Sequence, residues 1–228
     1  MTEYSGSDGV VISVRGEAYA ESAAERATVL VAVGFDGADR QAVRGQSTAA
    51  LAVIVDSVAE LYDVEAGPVV DWSADDVQVW AERPWNSEGT RLPLVYHSQS
   101  QLAVTFTDVR RLSIWLEDAA SGDGVTVGGI TWAVTDLTRR ELEARAQRDA
   151  VAHAVAKASV YAASLELSGA TPTELSEPSV FSHPVREDAR MFAMAGGAPV
   201  DLAPAPVRVD VAIDVRFVAH PLAAGHRP

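Results

Sequence analysis

The chain has 228 residues, 48% of them hydrophobic, which is enough for the core of one large domain or of two intimately packed lobes. Its 32 acidic and 18 basic residues give a formal net charge of −14, and so acidic a surface repels phosphate backbones and anionic lipid headgroups. We therefore expect no nucleic-acid partner. The absence of cysteine excludes disulfides, thiolate metal sites and cysteine nucleophiles.

The N-terminal segment lacks the features of a secretory signal. No basic residue and no apolar run precede the first strand-like pattern at Val10. The apolar stretches are interrupted by charges and are shorter than the roughly 20 residues that a membrane helix needs. The sequence predicts no membrane insertion and a cytoplasmic location. The alternative is an exported mature form whose leader has been replaced by the initiating methionine.

The first sixty residues carry two strand patterns and one helix pattern. Apolar side chains occupy every second position from Ile12, and again from Val29 to Phe35, which predicts two strands. Helical spacing follows from Asp39 to about Tyr62, with Asp36 or Asp39 as the N-cap. We expect this helix to cover the sheet.

The middle of the chain predicts three more strands and a short helix. Alternation over 76–82 and 101–106 predicts two strands, and Asp108 is placed to cap a helix through Leu116. From Val125 to Val134 the apolar phase shifts by one residue at Gly128-Gly129. That shift predicts a strand with a β-bulge at the glycine pair.

A long helix is predicted next, and alanines are spaced along it at intervals of four residues. A capping-box spacing from Thr138 to Glu141 predicts its start, and Ser168-Gly169 predicts its end, so it spans about 45 Å. An interval of four places the small side chains on one ridge, where another element can approach closely. The alanines are Ala146, Ala150, Ala154, Ala158 and Ala162.

The C-terminal part predicts a loop and then a strand. Residues 170–206 contain six prolines and Gly196-Gly197, which predicts a mobile loop. From Val207 to Phe217 apolar residues alternate with polar or small ones, so one face is apolar and the other is charged. Such a strand can lie at a sheet edge. The order ββα-ββ-α-β-α-β(β) predicts an α+β protein with a mostly antiparallel sheet covered by helices.

Four segments carry a family resemblance, and together they cover nearly the whole chain. They are VISVRGEA at 11–18, ERATVLVAV at 25–33, GGITWAVTD at 128–136 with the alanine helix behind it, and VRVDVAIDVRFV at 207–218. In order and spacing they resemble the SIMPL-domain family (domain of unknown function 541). The resemblance implies a single SIMPL-like domain over residues 1–228.

The same resemblance implies an oligomeric or partner-binding protein with no reaction attached. The family includes exported bacterial proteins linked to stress tolerance or known as immunogens. It also includes an animal relative that binds a receptor-associated kinase. The implied setting is therefore stress or envelope physiology.

No catalytic, metal or cofactor signature stands out. The histidines are His97, His153, His183, His220 and His226, and none forms a metal-ligand pair at i, i+3 or i+4. The glycine spacings of dinucleotide-binding and P-loop sites are absent. The sequence predicts a protein without a catalytic centre, metal or cofactor.

An interface is the remaining hypothesis, and two groups of residues are candidates for it. Aromatic side chains concentrate between positions 72 and 85, and exposed tryptophans are enriched at interfaces, although Trp80 could equally face a second layer of core. Charges of both signs on the last strand would match across a two-fold pairing. We expect a homo-oligomer built on Trp72, Trp80, Trp85, Arg208, Asp210, Asp214 and Arg216.

The alternative function belongs to another class. A small-molecule-binding protein or a hydrolase would need a pocket, which we would expect between the Trp80–Tyr96 region and the last strand. A carboxylate with a strongly raised pKa in that pocket would favour this alternative.

Overall fold

The structure is a computed structural model that describes residues 9–85, 87, 91–177 and 202–222. It contains strands in antiparallel sheets and helices packed on them, which confirms the α+β class. In chain order the elements are β1 (Val10–Ser22), β2 (Arg26–Gly37), α1 (Arg40–Ala59), β3 (Val69–Ala74), β4 (Gln78–Glu82), β5 (Val95–Phe106), α2 (Val109–Ala120), β6 (Val125–Ala133), α3 (Asp136–Ser164), β7 (Thr171–Ser176) and β8 (Val207–Ala219).

The chain divides into two units. The central unit comprises the described residues within Ala23–Val134 and Glu187–Pro206. The terminal unit comprises those within Met1–Ser22, Thr135–Arg186 and Val207–Pro228.

The central unit is an antiparallel sheet with α1 and α2 packed on one face. Its strand order is β3-β5-β2-β6, and β4 pairs with β5 in line with β3. Alternate residues of β5 from Ser98 to Phe106 are buried beneath the helices, as the period of a strand requires. Phe106 meets Trp115 of α2 at 5.4 Å between ring centroids. The Trp115 indole donates to Ser57 Oγ of α1 at 3.0 Å, which ties the two helices together.

Local predictions in the central unit are confirmed. Asp39 caps α1 through the backbone N–H of Ala42, and Asp108 caps α2 in the same way. The bulge is confirmed too, because Gly128 and Gly129 together oppose Leu30 of β2. A Cβ on Gly128 would come within 3.0 Å of the Leu30 carbonyl oxygen, so a glycine suits this close approach.

The terminal unit is a three-stranded antiparallel sheet, order β1-β8-β7, with α3 packed against it. All five alanines are at most 2% exposed, and those at 150, 154, 158 and 162 share a core cluster with residues of β1 and β8, which confirms the predicted ridge as the contact surface. At Gly16 of β1 the strand and the helix come close together. A Cβ there would collide with the carbonyl oxygen of Ala150 and lie 2.9 Å from the Ala154 Cβ. Small residues on both sides therefore set the distance between helix and strand.

Side chains of α3 also bind the outer edge of β1. The Nδ1 atom of His153 lies 2.8 Å from the carbonyl oxygen of Glu17, and Lys157 Nζ donates to the carbonyl oxygen of Arg15 at 2.8 Å. These contacts satisfy backbone groups that an edge strand otherwise presents to another chain.

The structure differs from the sequence predictions in the bounds of α3 and in two strands. Helix α3 begins earlier than predicted, because Thr135 is the N-cap and Thr138 lies inside the first turn, and it ends at Ser164. Strand β3 has no counterpart among the sequence predictions. Residues 171–176 form β7 instead of the start of a loop, with Pro172 tolerated because β7 is an edge strand. The rest of the predicted loop, residues 178–201, lies outside the described residues.

The prediction that the last strand lies at a sheet edge is wrong for its C-terminal half. Strand β8 pairs with β1 along its whole length and with β7 from Asp214 to Val218. Over 207–213, β1 is its one strand partner among the described residues. Alternation identified the buried face of this strand, but it does not determine which strands lie on either side.

Replacing Ala154 with Leu should destabilise the terminal unit by about 1–3 kcal/mol, because the larger side chain overpacks the contact with Gly16. Chemical denaturation followed by circular dichroism measures the loss. Ala156→Leu is the matched control, because Ala156 is exposed on the same helix and leucine is nearly as good a helix former as alanine. Equal stabilities for the two variants would contradict the packing described here.

Candidate interaction surface

The three tryptophans predicted to form one cluster do not lie together. Trp72 opposes Val104 on β5, and Trp80 opposes His97, seven residues away along the same strand. Seven is an odd number, so the two indoles lie on opposite faces of the sheet, about 23 Å apart along β5. Trp72 packs against the core of the central unit. The prediction that Trp72 shares an exposed surface with the other two is therefore wrong.

Trp80 and Trp85 belong to an exposed strand edge. Trp80 is 46% exposed in the middle of β4, and Trp85, three residues beyond its end, is 86% exposed. Among the described residues, β4 has β5 on one side and no strand on the other. We call Gln78–Glu82 together with Trp85 the β4 edge. Large exposed indoles beside an unpaired strand are typical of a surface that binds protein.

His97 forms the centre of a polar group next to this edge. Its Nδ1 atom lies 2.6 Å from Asp36 Oδ1 on β2, and its Nε2 atom lies 3.4 Å from Glu82 Oε1 on β4. The ring stacks on Trp80, with 5.5 Å between centroids and 23° between planes. The arrangement follows from register, because Asp36, His97 and Trp80 are direct neighbours across three strands.

Sequence reasoning gave His97 no role. One feature of the sequence could have drawn attention to this position. Trp80 lies on the polar phase of its strand, which puts an indole on the sheet face opposite α1 and α2. Recognising that His97 lies opposite this indole requires the register of β4 on β5, and the sequence does not determine that register.

Of the charges predicted on the last strand, Arg208, Asp210 and Arg216 are exposed and Asp214 is half-buried, and each has a partner within the chain. Arg15 forms a two-bond pair with Asp214, at 2.8 and 2.9 Å. The other contacts of this face are Arg216 with Glu174 at 2.8 Å, Arg208 with Asp210 at 2.6 Å, and the Arg208 guanidinium over the Tyr19 ring at 3.7 Å.

Two of these contacts shift the pKa values of Arg15, Asp214 and Arg208. Hydrogen bonds from Arg15 hold the pKa of Asp214 below its usual value, and the same bonds raise the pKa of Arg15. The Asp210 carboxylate likewise raises the pKa of Arg208. Intrachain pairing of this kind leaves less charge available to match a second copy than the sequence predicted.

A shallow, open depression of about 240 Å³ lies on the same charged face. It lies between the Arg15–Asp214 and Arg216–Glu174 pairs, with Ser13 and Ser176 beside them. These polar groups already bond to one another, so the depression has few free groups for a ligand. The pocket predicted near Trp80–Tyr96 stays a prediction.

Within the described residues, no group of three or more histidine and carboxylate side chains is arranged to hold a metal ion. No helix in that part of the chain combines the length and apolarity needed to span a bilayer. Arg83 donates to the carbonyl oxygen of Leu92, which ties the two ends of the loop after β4 to each other.

Replacing Arg15 with Gln should raise the pKa of Asp214 toward its usual 3.8, because the two guanidinium hydrogen bonds are lost. A carboxyl whose pKa is depressed in the folded state stabilises the protein above its unfolded pKa, and this contribution is lost as the pH falls through the folded pKa. NMR titration of the Asp214 carboxyl measures the change. Arg145→Gln is the control, since Arg145 pairs with Asp149 instead. An Asp214 titration that Arg15→Gln leaves unchanged would show that the pair does not set the shift.

Comparison with known proteins gives one informative result. The sequence profile of the family described as SIMPL, protein of unknown function (DUF541), matches residues 12–217. A search of the curated proteins found no match. The matched range spans most of both units, from β1 to the C-terminal end of β8. The chain therefore belongs to the SIMPL (DUF541) family.

Proposed function

We propose that this SIMPL-family protein is a non-enzymatic assembly protein that self-associates through the β4 edge. The observation that supports this most is the pair of exposed indoles, Trp80 in β4 and Trp85 just beyond it, at a strand that has a strand neighbour on one side only among the described residues. An unpaired strand offers backbone N–H and C=O groups to another chain, and large aromatic side chains supply the buried area that association requires.

Antiparallel pairing about a two-fold axis at Trp80 fits the residues of β4. In that register Trp80 opposes its copy, and Gln78 opposes Glu82, so no like charges lie directly across from each other. Asp75 and Asp76 before the strand and Pro84 after it limit the pairing to this short segment. One register is therefore favoured over slipped alternatives.

The outer edges of β1 and β4 differ in a way that supports this choice. The outer edge of β1 is occupied by His153 and Lys157 of α3. No described helix or strand covers the outer side of β4 in the same manner. An edge that the fold leaves uncovered is the more effective template for another chain.

The net charge of −14 opposes assembly, so the indoles have to overcome both charge repulsion and the loss of freedom on binding. Salt screens the repulsion, since the Debye length falls from about 10 Å at 0.1 M to about 3 Å at 1 M. Assembly should therefore tighten as the salt concentration rises.

The physiological setting is proposed from family resemblance alone, and the location is a separate proposal. We place the protein in stress or envelope physiology, with a cytoplasmic location or, as the alternative, as an exported form. A protein partner that adds a strand to the same edge is compatible with this role.

Replacing both Trp80 and Trp85 with Ala should abolish the oligomer, because the apolar anchors of the contact are removed. Size-exclusion chromatography with light scattering measures the mass at micromolar concentration. Ile114→Ala is the matched control, since Ile114 is 49% exposed on α2 of the same unit. A monomeric mass for the unmodified protein, or an oligomer that survives loss of both indoles, would contradict the proposal.

The absence of catalysis is tested separately. A screen with generic esterase, phosphatase and glycosidase substrates should give no turnover that depends on a single residue. The informative variants are His97→Gln and His153→Gln, because both histidines contact other groups of the fold. Turnover that disappears in either variant would show that the protein has a catalytic centre.

A further inference from the structure

We propose that His97 is a proton-responsive clamp that joins the edge strand β4 to β2, and that its charge sets how strongly the β4 edge binds a second copy. The second half of this inference rests on the proposed function, whereas the first half concerns the single chain. The clamp consists of His97, Asp36, Glu82 and Trp80, on three neighbouring strands.

The two nitrogens of the His97 ring have unequal partners. Nδ1 is within hydrogen-bond distance of Asp36, at 2.6 Å. Nε2 is buried and makes no hydrogen bond, and Glu82 Oε1 lies 3.4 Å from it. In a neutral ring that donates to Asp36, Nε2 is an acceptor that faces a carboxylate, and a buried acceptor without a donor is unfavourable.

Protonation removes this mismatch. In the imidazolium both nitrogens carry a proton, so Nδ1 donates to Asp36 while Nε2–H points toward Glu82. These two carboxylates are the charged groups that face the ring from β2 and β4 among the described residues. The charged ring therefore pairs with carboxylates on both β2 and β4, whereas the neutral ring hydrogen-bonds to β2 and keeps only its stacking contact with β4.

The same proton changes the charge of the β4 edge. With the imidazolium present, its positive charge offsets the carboxylates of Asp36 and Glu82, which contact the two ring nitrogens. When the proton leaves, the ring no longer offsets these two carboxylates, and Glu82 belongs to the β4 edge itself. Because the whole chain is acidic, a second copy then meets more repulsion at this contact.

The pH effect has one direction. The bridge to Glu82 needs a proton on both ring nitrogens of His97, so it is present with the charged ring and absent with the neutral ring. Assembly should therefore be tighter at the lower of two pH values that differ in the charge of the ring.

The clamp is tested first in the monomer by fluorescence. A protonated imidazole stacked on an indole quenches its emission, so Trp80 emission should rise as the pH increases and His97 loses its proton. The Trp80 contribution is the difference between the protein and its Trp80→Phe variant. His97→Gln should make this contribution independent of pH, and His153→Gln should leave it responsive. A Trp80 emission that ignores pH, or that still responds to it in His97→Gln, would overturn the clamp.

The link to assembly is tested by dissociation constants from light scattering at about pH 6 and about pH 8. We expect the dissociation constant to rise about two- to five-fold between them, the size of effect that a partly exposed ion pair produces. His97→Gln and Glu82→Gln should each flatten this dependence, and His153→Gln should retain it. Wild-type dependence in His97→Gln would overturn the link.

The two tests separate the two proposals. If the protein is monomeric at both pH values and the pH dependence of its Trp80 emission is abolished by His97→Gln, the clamp is supported and the assembly function is contradicted. If the protein is oligomeric and the pH dependence of its Trp80 emission is absent or unaffected by His97→Gln, the assembly function is supported and the clamp is contradicted.

Discussion

The close contact between the alanine ridge of α3 and Gly16 of β1 sets the distance between the helix and the sheet of the terminal unit. Because neither side carries a large group, the helix lies close enough for His153 and Lys157 to bind the backbone of β1. The packing of α3 on the sheet thus buries the apolar face of the sheet and also covers the outer edge of β1. Because side chains of α3 bond to backbone groups of this edge, fewer of those groups are available to pair with another chain.

Among the described residues, nothing gives the outer side of β4 an equivalent protection. Helices α1 and α2 cover one face of the central sheet, and the opposite face carries Trp80, His97 and the carboxylates beside the histidine. Exposed indoles at such a strand edge are costly for a monomer unless another surface covers them, and this difference between the outer edges of β1 and β4 underlies the functional proposal.

Local features of the fold could be predicted from the sequence, and long-range ones could not. The caps at Asp39 and Asp108, the bulge at Gly128-Gly129 and the alanine ridge each depend on neighbouring residues, and all are confirmed. Strand β7 has no alternating pattern and forms because β8 offers a backbone to pair with. The position of β8 inside its sheet, the separation of Trp72 from Trp80, and the group around His97 all depend on strand order and register. Those are set by the packing of distant segments, which no single window of sequence contains.

If copies of this chain meet at the β4 edge, backbone pairing should protect the amides of that segment. Amide hydrogen exchange on residues 77–85, measured in dilute and in concentrated protein, detects this protection because backbone pairing slows exchange at the paired amides. Exchange in this segment should slow as the protein is concentrated, while exchange in the covered strand β1 stays the same. Unchanged exchange over 77–85 in a sample that light scattering shows to be oligomeric would mean that the copies meet elsewhere.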